Sequence, residues 1–172
     1  MIKRNNFIFI TITICLLFSG ALVASAYKVS KIIDGDTIEC TDGNINFRVR
    51  LAGIDAPEKK TFWGRRAKMY LEELLQGKSV DIKQYLIGPY NRIIGDVLVG
   101  SENASYRILK DGYAEYYREG CIDYELQKNK KVYKYDILPY IKLEQEARAK
   151  KLNIWLSSDY VSPCKYRKQN KK

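Results

Sequence analysis

The chain has 172 residues, with 30 Lys and Arg against 20 Asp and Glu, a formal net charge of +10 and no histidine. The lack of histidine excludes Ser-His-Asp and Cys-His catalysis and histidine-bound zinc, so any catalysis must use carboxylates, Arg, Lys, Tyr, a thiol or an oxygen-bound metal. A basic chain with 14 tyrosines favours an anionic polymer as partner, because phosphates supply affinity and aromatic faces stack on bases.

The N-terminus has the pattern of a secretory signal peptide over residues 1–26. A positive n-region precedes an apolar run over residues 7–20 and an A-x-A cleavage motif at residues 24–26. We expect cleavage before Tyr27, a secreted or periplasmic protein, and no stable membrane association after cleavage. The alternative is an uncleaved anchor, since the apolar stretch extends through Val23 to nearly spanning length.

Three cysteines follow the predicted cleavage site, namely Cys40, Cys121 and Cys164. In an oxidising compartment, this odd number permits one disulfide and one spare thiol. Cys40 lies in a predicted strand, so we expect it to stay buried and reduced. A bridge between Cys121 and Cys164 is the remaining expectation, and it would tie the C-terminal segment to an internal loop.

Alternation and hydrophobic spacing predict the elements of the mature chain. Strands are predicted over residues 27–33, 37–41, 45–54, 79–85 and 92–99, and helices over 64–75, 104–110 and 140–151. Asp42-Gly43 is a hairpin signal, and Gly77 ends the first helix. Five strands with a helix after the third predict an α+β fold, a five-stranded OB-type β-barrel with three helices.

Two segments lack a regular pattern. Residues 119–135 are polar and charged without a clear period, and we expect an irregular loop there. Residues 165–172 are basic and are predicted to form a disordered tail. The predicted organisation is therefore a leader over 1–26, one domain over 27–158 and a basic tail over 159–172.

Acidic and basic residues are concentrated between Asp36 and Glu58. Three carboxylates, those of Asp36, Asp55 and Glu58, can converge on one point, as a hard divalent cation requires. Arg50 lies among them in sequence and can grip a phosphate oxygen bidentately. Each motif taken alone is also typical of plain structure, because Asp-Gly-Asp-Thr commonly forms a turn and an arginine on a strand commonly faces solvent.

Taken together and in order, the motifs resemble the staphylococcal-nuclease-like (thermonuclease) family over residues 27–155. The segments that carry the resemblance are Ile33–Thr37, Arg50–Glu58, Gly64 with Ala67, Tyr90 with Arg92, Asp111–Ala114, Glu144–Arg148 and Asn153–Trp155. The resemblance implies an OB-type barrel with three helices and calcium-dependent hydrolysis of DNA and RNA phosphodiesters.

The resemblance also implies roles for individual residues. Asp36 and Asp55 match the side chains that bind Ca²⁺, and Ala56 matches a residue that lends its backbone carbonyl. Glu58 matches the carboxylate that activates or orients the attacking water.

The remaining roles concern the substrate. Arg50 and Arg92 match the catalytic arginines that grip the phosphate, and Tyr90 matches a tyrosine that contacts the substrate. Asn91 replaces the usual glycine between Tyr90 and Arg92, and asparagine tolerates a positive φ better than most residues.

The expected function is therefore that of a monomeric phosphodiesterase or endonuclease. The alternative is a non-catalytic OB-type module that binds nucleic acid or a protein partner without cleaving it. Retention of all three acids and both arginines favours the enzyme. A second alternative is a membrane-tethered surface nuclease with an intact leader. The preference for DNA or RNA and for internal or terminal cleavage stays open at this stage.

Overall fold

A computed structural model describes residues 26–118 and 135–170. Its long strands are β1 (Tyr27–Ile32), β2 (Thr37–Thr41), β3 (Asn46–Leu51), β5 (Ser79–Gly88) and β6 (Arg92–Val99), and its short ones are β4 (Ile54–Asp55), β7 (Glu102–Asn103) and β8 (Glu115–Tyr116). The five long strands lie in the order β3-β2-β1-β5-β6, and a parallel pairing of β3 with β6 closes the barrel. The predicted α+β fold with a five-stranded OB-type barrel is confirmed.

The barrel interior is filled by the apolar faces of the strands. Val29, Ile38, Val49, Leu51 and Val97 are each no more than 1% exposed. These positions alternate with more exposed ones along their strands, as a half-buried sheet requires. Burial of these side chains explains why alternation in the sequence located the strands.

The helices are α1 (Phe62–Leu75), α2 (Ala104–Lys110), α3 (Leu138–Ala149) and α4 (Pro163–Gln169), with 3₁₀ turns at Pro89–Asn91 and Asn153–Trp155. Helix α1 begins two residues earlier than predicted, because the Thr61 side chain accepts a hydrogen bond from the backbone N–H of Gly64 and caps the helix. Helix α2 has the predicted bounds. Helix α3 begins at Leu138 and ends at Ala149, two residues earlier at each end than predicted.

The prediction of a disordered tail over residues 165–172 is wrong for residues 165–169, which belong to helix α4 (Pro163–Gln169). The Ser162 side chain accepts a hydrogen bond from the Lys165 N–H, and Pro163 occupies the first turn, where its missing N–H costs nothing. Pro163 is also buried. The residues that the structure describes therefore hold four α-helices, against three predicted.

The predicted strand over 45–54 is interrupted. Gly53 has φ +74°, and a Cβ atom there would lie 2.2 Å from a ring carbon of Tyr140. The chain turns at this glycine, and β4 pairs with β8 in a separate two-stranded sheet, with Asp55 opposite Glu115. This turn and pairing place Asp55 where the site requires it.

The cysteine predictions are partly tested. Cys40 is buried and free, as expected, and burial raises the pKa of its thiol to about 12. Cys164 is disulfide-bonded, but Cys121 lies outside the described residues, so the predicted pairing stays a prediction. Residues 1–25 of the predicted leader and residues 119–134 of the loop predicted over 119–135 also lie outside them. Within residues 26–118 and 135–170, every helix is too short or too polar to span a bilayer.

Candidate active site

The turn after β1 presents Asp36 to the interior of the site. The Asp34 carboxylate accepts a hydrogen bond from the Asp36 N–H at 3.0 Å and shapes the turn. A Cβ atom at Gly35 would lie 2.7 Å from the Cβ of Ala56 and 2.8 Å from that of Ala67, so only glycine allows this close packing. The Asp36 carboxylate in turn accepts a hydrogen bond from the Ala56 N–H at 3.1 Å.

Arg50 holds two carboxylates together. Its side chain, on β3, donates from Nη1 to Asp36 Oδ1 at 2.5 Å and from Nη2 to Asp55 Oδ1 at 3.3 Å. Nη2 also donates to the Ile54 carbonyl at 3.2 Å. The side chain is 16% exposed, so the guanidinium fork is fixed between the two acids rather than solvated.

Glu58 lies in the loop that leads into α1. Its backbone carbonyl accepts hydrogen bonds from the N–H and the hydroxyl of Thr61, both at 2.8 Å. A Cβ atom at Gly64 would lie 2.0 Å from that carbonyl oxygen, so the glycine lets α1 approach the loop. The helix start therefore holds the backbone of Glu58, while its side chain remains 32% exposed.

Arg167 of α4 reaches the same acids from the C-terminal end of the chain. Its Nη2 donates to Asp55 Oδ2 at 2.6 Å, and its Nη1 lies 3.1 Å from both Asp55 Oδ1 and Glu58 Oε1. Sequence reasoning missed this residue because the tail lacks hydrophobic periodicity. The Ser162-Pro163 pair was the one signal that could have indicated a helix there.

Arg92 differs from the other two arginines of the site. It lines the same pocket, yet within the described part of the chain it forms no ion pair, and its Nε is buried without a hydrogen-bond partner. Tyr90 is 91% exposed and lines a neighbouring pocket with Arg92, not the carboxylate pocket itself. Asn91 has φ +53°, which asparagine tolerates, and Tyr90 has φ +61°.

These side chains surround a pocket of about 230 Å³, which we call the carboxylate pocket. Its lining residues are Asp34, Gly35, Asp36, Arg50, Asp55, Ala56, Pro57, Glu58, Lys59, Arg92 and Arg167. A second pocket of about 480 Å³ shares Arg50, Asp55, Arg92 and Arg167 with it and adds the rings of Tyr117 and Tyr135. The two pockets form one cleft with a charged part and a more apolar part.

The electrostatics of the turn shift the pKa values of its two acids, Asp34 and Asp36, in opposite directions. Burial alone would raise the pKa of Asp36, but the charge of Arg50 and the Ala56 N–H outweigh burial and hold that pKa below its usual value. Burial raises the pKa of Asp34 to about 6, and the negative charge of Asp36 adds to the shift. Asp34 is thus a titrating neighbour of the site that the sequence reasoning did not assign.

The donor atoms fit a hard cation by type. Asp36 and Asp55 lie on the two ends of one guanidinium, and oxygen ligands are those that Ca²⁺ prefers. Within residues 26–118 and 135–170, however, no three His, Cys, Asp or Glu side chains form a group able to hold a metal. A cation would therefore take two carboxylates, with the Ala56 carbonyl and water as further ligands.

Of the residues predicted for the site, the structure brings together Asp36, Arg50, Asp55, Ala56, Glu58 and Arg92 around the carboxylate pocket. Tyr90 is the exception, since it lines the neighbouring pocket, which shares Asp34 and Arg92 with the carboxylate pocket. Arg167, Asp34 and Lys59 also line the carboxylate pocket, and none of them was predicted.

The amino-acid sequence is similar to those of known proteins. The sequence model of the family described as staphylococcal nuclease homologue matches residues 48–157. The chain is similar to an uncharacterized endonuclease of Haemophilus influenzae, with 32% identity over 145 residues, 84% of this chain and 74% of that protein. It is also similar to an uncharacterized endonuclease of Escherichia coli, with 33% identity over 141 residues, 81% of this chain and 83% of that one. A probable staphylococcal-like nuclease of Oryza sativa is 29% identical over 138 residues, 78% of this chain and 33% of the rice protein.

Proposed function

This chain belongs to the staphylococcal nuclease homologue family, and on that premise we propose that it is a secreted, calcium-dependent nuclease that hydrolyses phosphodiester bonds of DNA and RNA. Family membership supports nuclease activity, and with it a nucleic acid substrate and a hydrolytic reaction. The calcium dependence, the export and the roles of individual residues go beyond family membership and are proposed here.

The observation that carries the proposal is the composition of the carboxylate pocket. Asp36, Asp55 and Glu58 face Arg50 and Arg92 around one space of about 230 Å³. Arg92 has no acidic partner among the described residues, so its charge is available to an anion. A phosphodiester is an anion that a planar guanidinium binds with two parallel hydrogen bonds.

Each side chain has a role in the proposed reaction. Calcium, held by Asp36, Asp55 and the Ala56 carbonyl, would supply positive charge next to a phosphate oxygen. Arg50 and Arg92 donate hydrogen bonds to the charge that develops on the phosphate, and one such donor lowers the barrier by about 3 kcal/mol in comparable sites. Glu58, exposed at the pocket edge, accepts a proton from the attacking water or orients it.

The larger adjoining pocket suits the rest of a nucleotide. Its lining includes Arg50 and Arg92 together with Tyr117 and Tyr135, and the Tyr135 ring also packs against those of Tyr85 and Tyr140. Aromatic faces stack on any base, whatever its hydrogen-bonding edge, so this surface supports binding with little sequence preference. A single strand presents its bases for such stacking more readily than a duplex.

The test is cleavage of circular single-stranded DNA and of single-stranded RNA by the mature protein, with calcium varied against a chelator. We expect both to be cut with calcium and neither with the chelator, and a cut circle would identify an endonuclease. Asp36→Asn should require more calcium for the same rate. Binding of both polymers with no cleavage at any calcium concentration would instead favour the non-catalytic binding module.

The proposed export is tested by the mass of the secreted protein. The mass of the protein recovered outside the cell should correspond to a chain that begins at Tyr27. Recovery of the full-length chain in the membrane fraction would favour the tethered alternative.

A further inference from the structure

The guanidinium of Arg167 is bound by the acids to which the proposed function assigns the cation and the water. Its two terminal nitrogens meet both carboxylate oxygens of Asp55, at 2.6 and 3.1 Å, and one of them also meets Glu58 at 3.1 Å. This is the fork-to-carboxylate arrangement that gives arginine its strongest ion pairs. Arg167 therefore neutralises two acids of the pocket at once.

The segment that carries Arg167 is fastened to the domain at several points. The Tyr160 hydroxyl donates to Glu115 at 2.9 Å, Pro163 is buried, and Ser162 caps the helix. Cys164, on the same short helix, is disulfide-bonded. The contact with the pocket is thus held by the fold and does not depend on a free chain end.

The two partners of this ion pair, Arg167 and Asp55, differ in solvent exposure. The Arg167 side chain is 41% exposed, whereas the Asp55 side chain is 9% exposed. A long, half-exposed arginine regains hydration when it turns into water, which offsets part of the lost ion pair, whereas a buried carboxylate left without a positive neighbour is strongly disfavoured. After such a departure Asp55 would keep only the longer contact with Arg50, at 3.3 Å.

We propose that Arg167 is an internal counter-cation of Asp55 and Glu58, which a divalent cation must displace in order to bind. The inference rests on the proposed function only for the position of the cation at Asp55. Like charges repel strongly in a pocket that solvent screens weakly, so the arginine and the cation compete for Asp55. Displacement also releases Glu58 from Arg167, which frees its carboxylate for the water.

Competition has a measurable consequence. Because the coupling between two binding events is reciprocal, removing Arg167 must raise the affinity for the cation. The variant is Arg167→Gln, and Lys168→Gln is its matched control, with the same charge change on the exposed neighbouring position of the same helix. Arg167→Lys, which keeps the charge but loses the fork, should lie between the wild type and Arg167→Gln.

The experiment is calorimetric titration of the intact mature protein with calcium in the absence of any substrate. We expect Arg167→Gln to bind calcium about fivefold to twentyfold more tightly than the wild type. Lys168→Gln should differ from the wild type by less than about twofold. Thermal unfolding should agree, with a larger rise in Tm on calcium addition for Arg167→Gln than for the control.

The other outcomes separate this inference from the proposed function. Unchanged or weaker calcium binding by Arg167→Gln, with calcium-dependent cleavage retained, would overturn the inference alone. Unchanged calcium binding with a raised KM would overturn it too and would make Arg167 a phosphate ligand. Tighter calcium binding by Arg167→Gln, together with no cleavage by the wild type, would support the inference and refute the nuclease proposal. No calcium binding by either protein would overturn both the inference and the calcium dependence.

Discussion

Two ionic clusters in this molecule have similar chemistry and different surroundings. In the carboxylate pocket, Arg50 and Arg167 pair with acids around a space of about 230 Å³. In the second, which we call the α3 cluster, Arg118 lies 3.1 Å from Glu115 and 2.8 Å from Glu144. Both clusters place acids of low exposure against arginines, so pairing and burial alone do not distinguish them.

Closer aromatic cover and an unmatched charge do distinguish them, since the Arg50 guanidinium of the carboxylate pocket lies 5.8 Å from the centre of the Tyr117 ring. In the α3 cluster, the Arg118 guanidinium lies 3.7 Å from the centre of the Tyr116 ring, and that of Arg148 lies 3.9 Å from the centre of the Trp155 ring. In the carboxylate pocket, Arg92 faces the cleft without an acidic partner among the described residues. Ion pairs sealed by rings hold a fold together, whereas open space beside a spare arginine suits a phosphate.

The largest effect is expected at Glu58, where a substitution should lower activity and leave stability nearly unchanged. Glu58→Gln should lower the cleavage rate by about a hundredfold to ten-thousandfold, because an amide cannot accept the proton that the carboxylate accepts. Its stability should change little, since the side chain is 32% exposed and Arg167 keeps Asp55 as a partner. Single-turnover kinetics and urea unfolding measure the two quantities. Glu73→Gln, on the exposed side of α1, is the control, and full activity of Glu58→Gln would refute the site.

The second largest effect on the cleavage rate is expected for substitutions of Arg92. Arg92→Ala should lower the rate by about a hundredfold through the loss of one preorganised donor. Arg92→Lys should recover little of that loss, because a lysine cannot make the bidentate contact. The exposed Arg66→Ala should behave as the wild type in the same assay. A loss of stability with an unchanged rate per folded molecule would instead give Arg92 a structural role.

The α3 cluster should respond in the opposite way. Glu144 is 2% exposed and accepts from Arg118 at 2.8 Å and Arg148 at 3.2 Å, so Glu144→Gln leaves buried positive charge poorly compensated. We expect a loss of about 3 kcal/mol in the free energy of unfolding, with the cleavage rate per folded molecule unchanged. Glu146→Gln on the same helix controls for helix propensity. A fall in rate without a fall in stability would end the distinction between the two clusters.

The smallest effect is a dependence of stability on pH within the carboxylate pocket. The pKa of Asp34 is raised from 3.8 to about 6, chiefly by burial, so the folded state binds a proton that the unfolded state has lost between these values. Stability from this group is therefore present below about pH 4 and is lost as the pH rises towards about 6. A shift of this size is worth about 3 kcal/mol for a fully buried group, but solvent screens the partly buried Asp34, so the free energy of unfolding of Asp34→Asn, which stays neutral, should exceed that of the wild type by about 1 kcal/mol near pH 7.

The measurement is urea unfolding in a chelator at several pH values, and the two proteins should converge near pH 4. The side-chain amide oxygen that Asp34→Asn introduces can still accept the hydrogen bond from the Asp36 N–H, so the turn is kept. A constant difference between the two proteins across the pH range would mean that Asp34 does not titrate as described.

Local patterns were sufficient for most of the fold. The predicted bounds of β2 and α2 agree with the structure, because a strand with one buried face alternates and Asp111-Gly112 marks the helix end. The break at Gly53 was missed, since residues 45–51 alternate and the apolar Ala52 and Ile54 resemble a continuation of the strand. The need for that glycine arises from Tyr140, which is distant in sequence and occupies the place of a Cβ atom.

The sequence by itself determined the barrel and the kinds of groups in the site, because side-chain type and hydrophobic period are local properties of the chain. Only the tertiary structure decided which arginine meets which acid. Arg167 lies 112 residues from Asp55 and 109 from Glu58, and no local pattern specifies a contact over such a separation. The packing of α4 against the domain decides that contact. The pairing of Arg167 with Asp55 and Glu58 therefore follows from the tertiary structure and not from any local pattern.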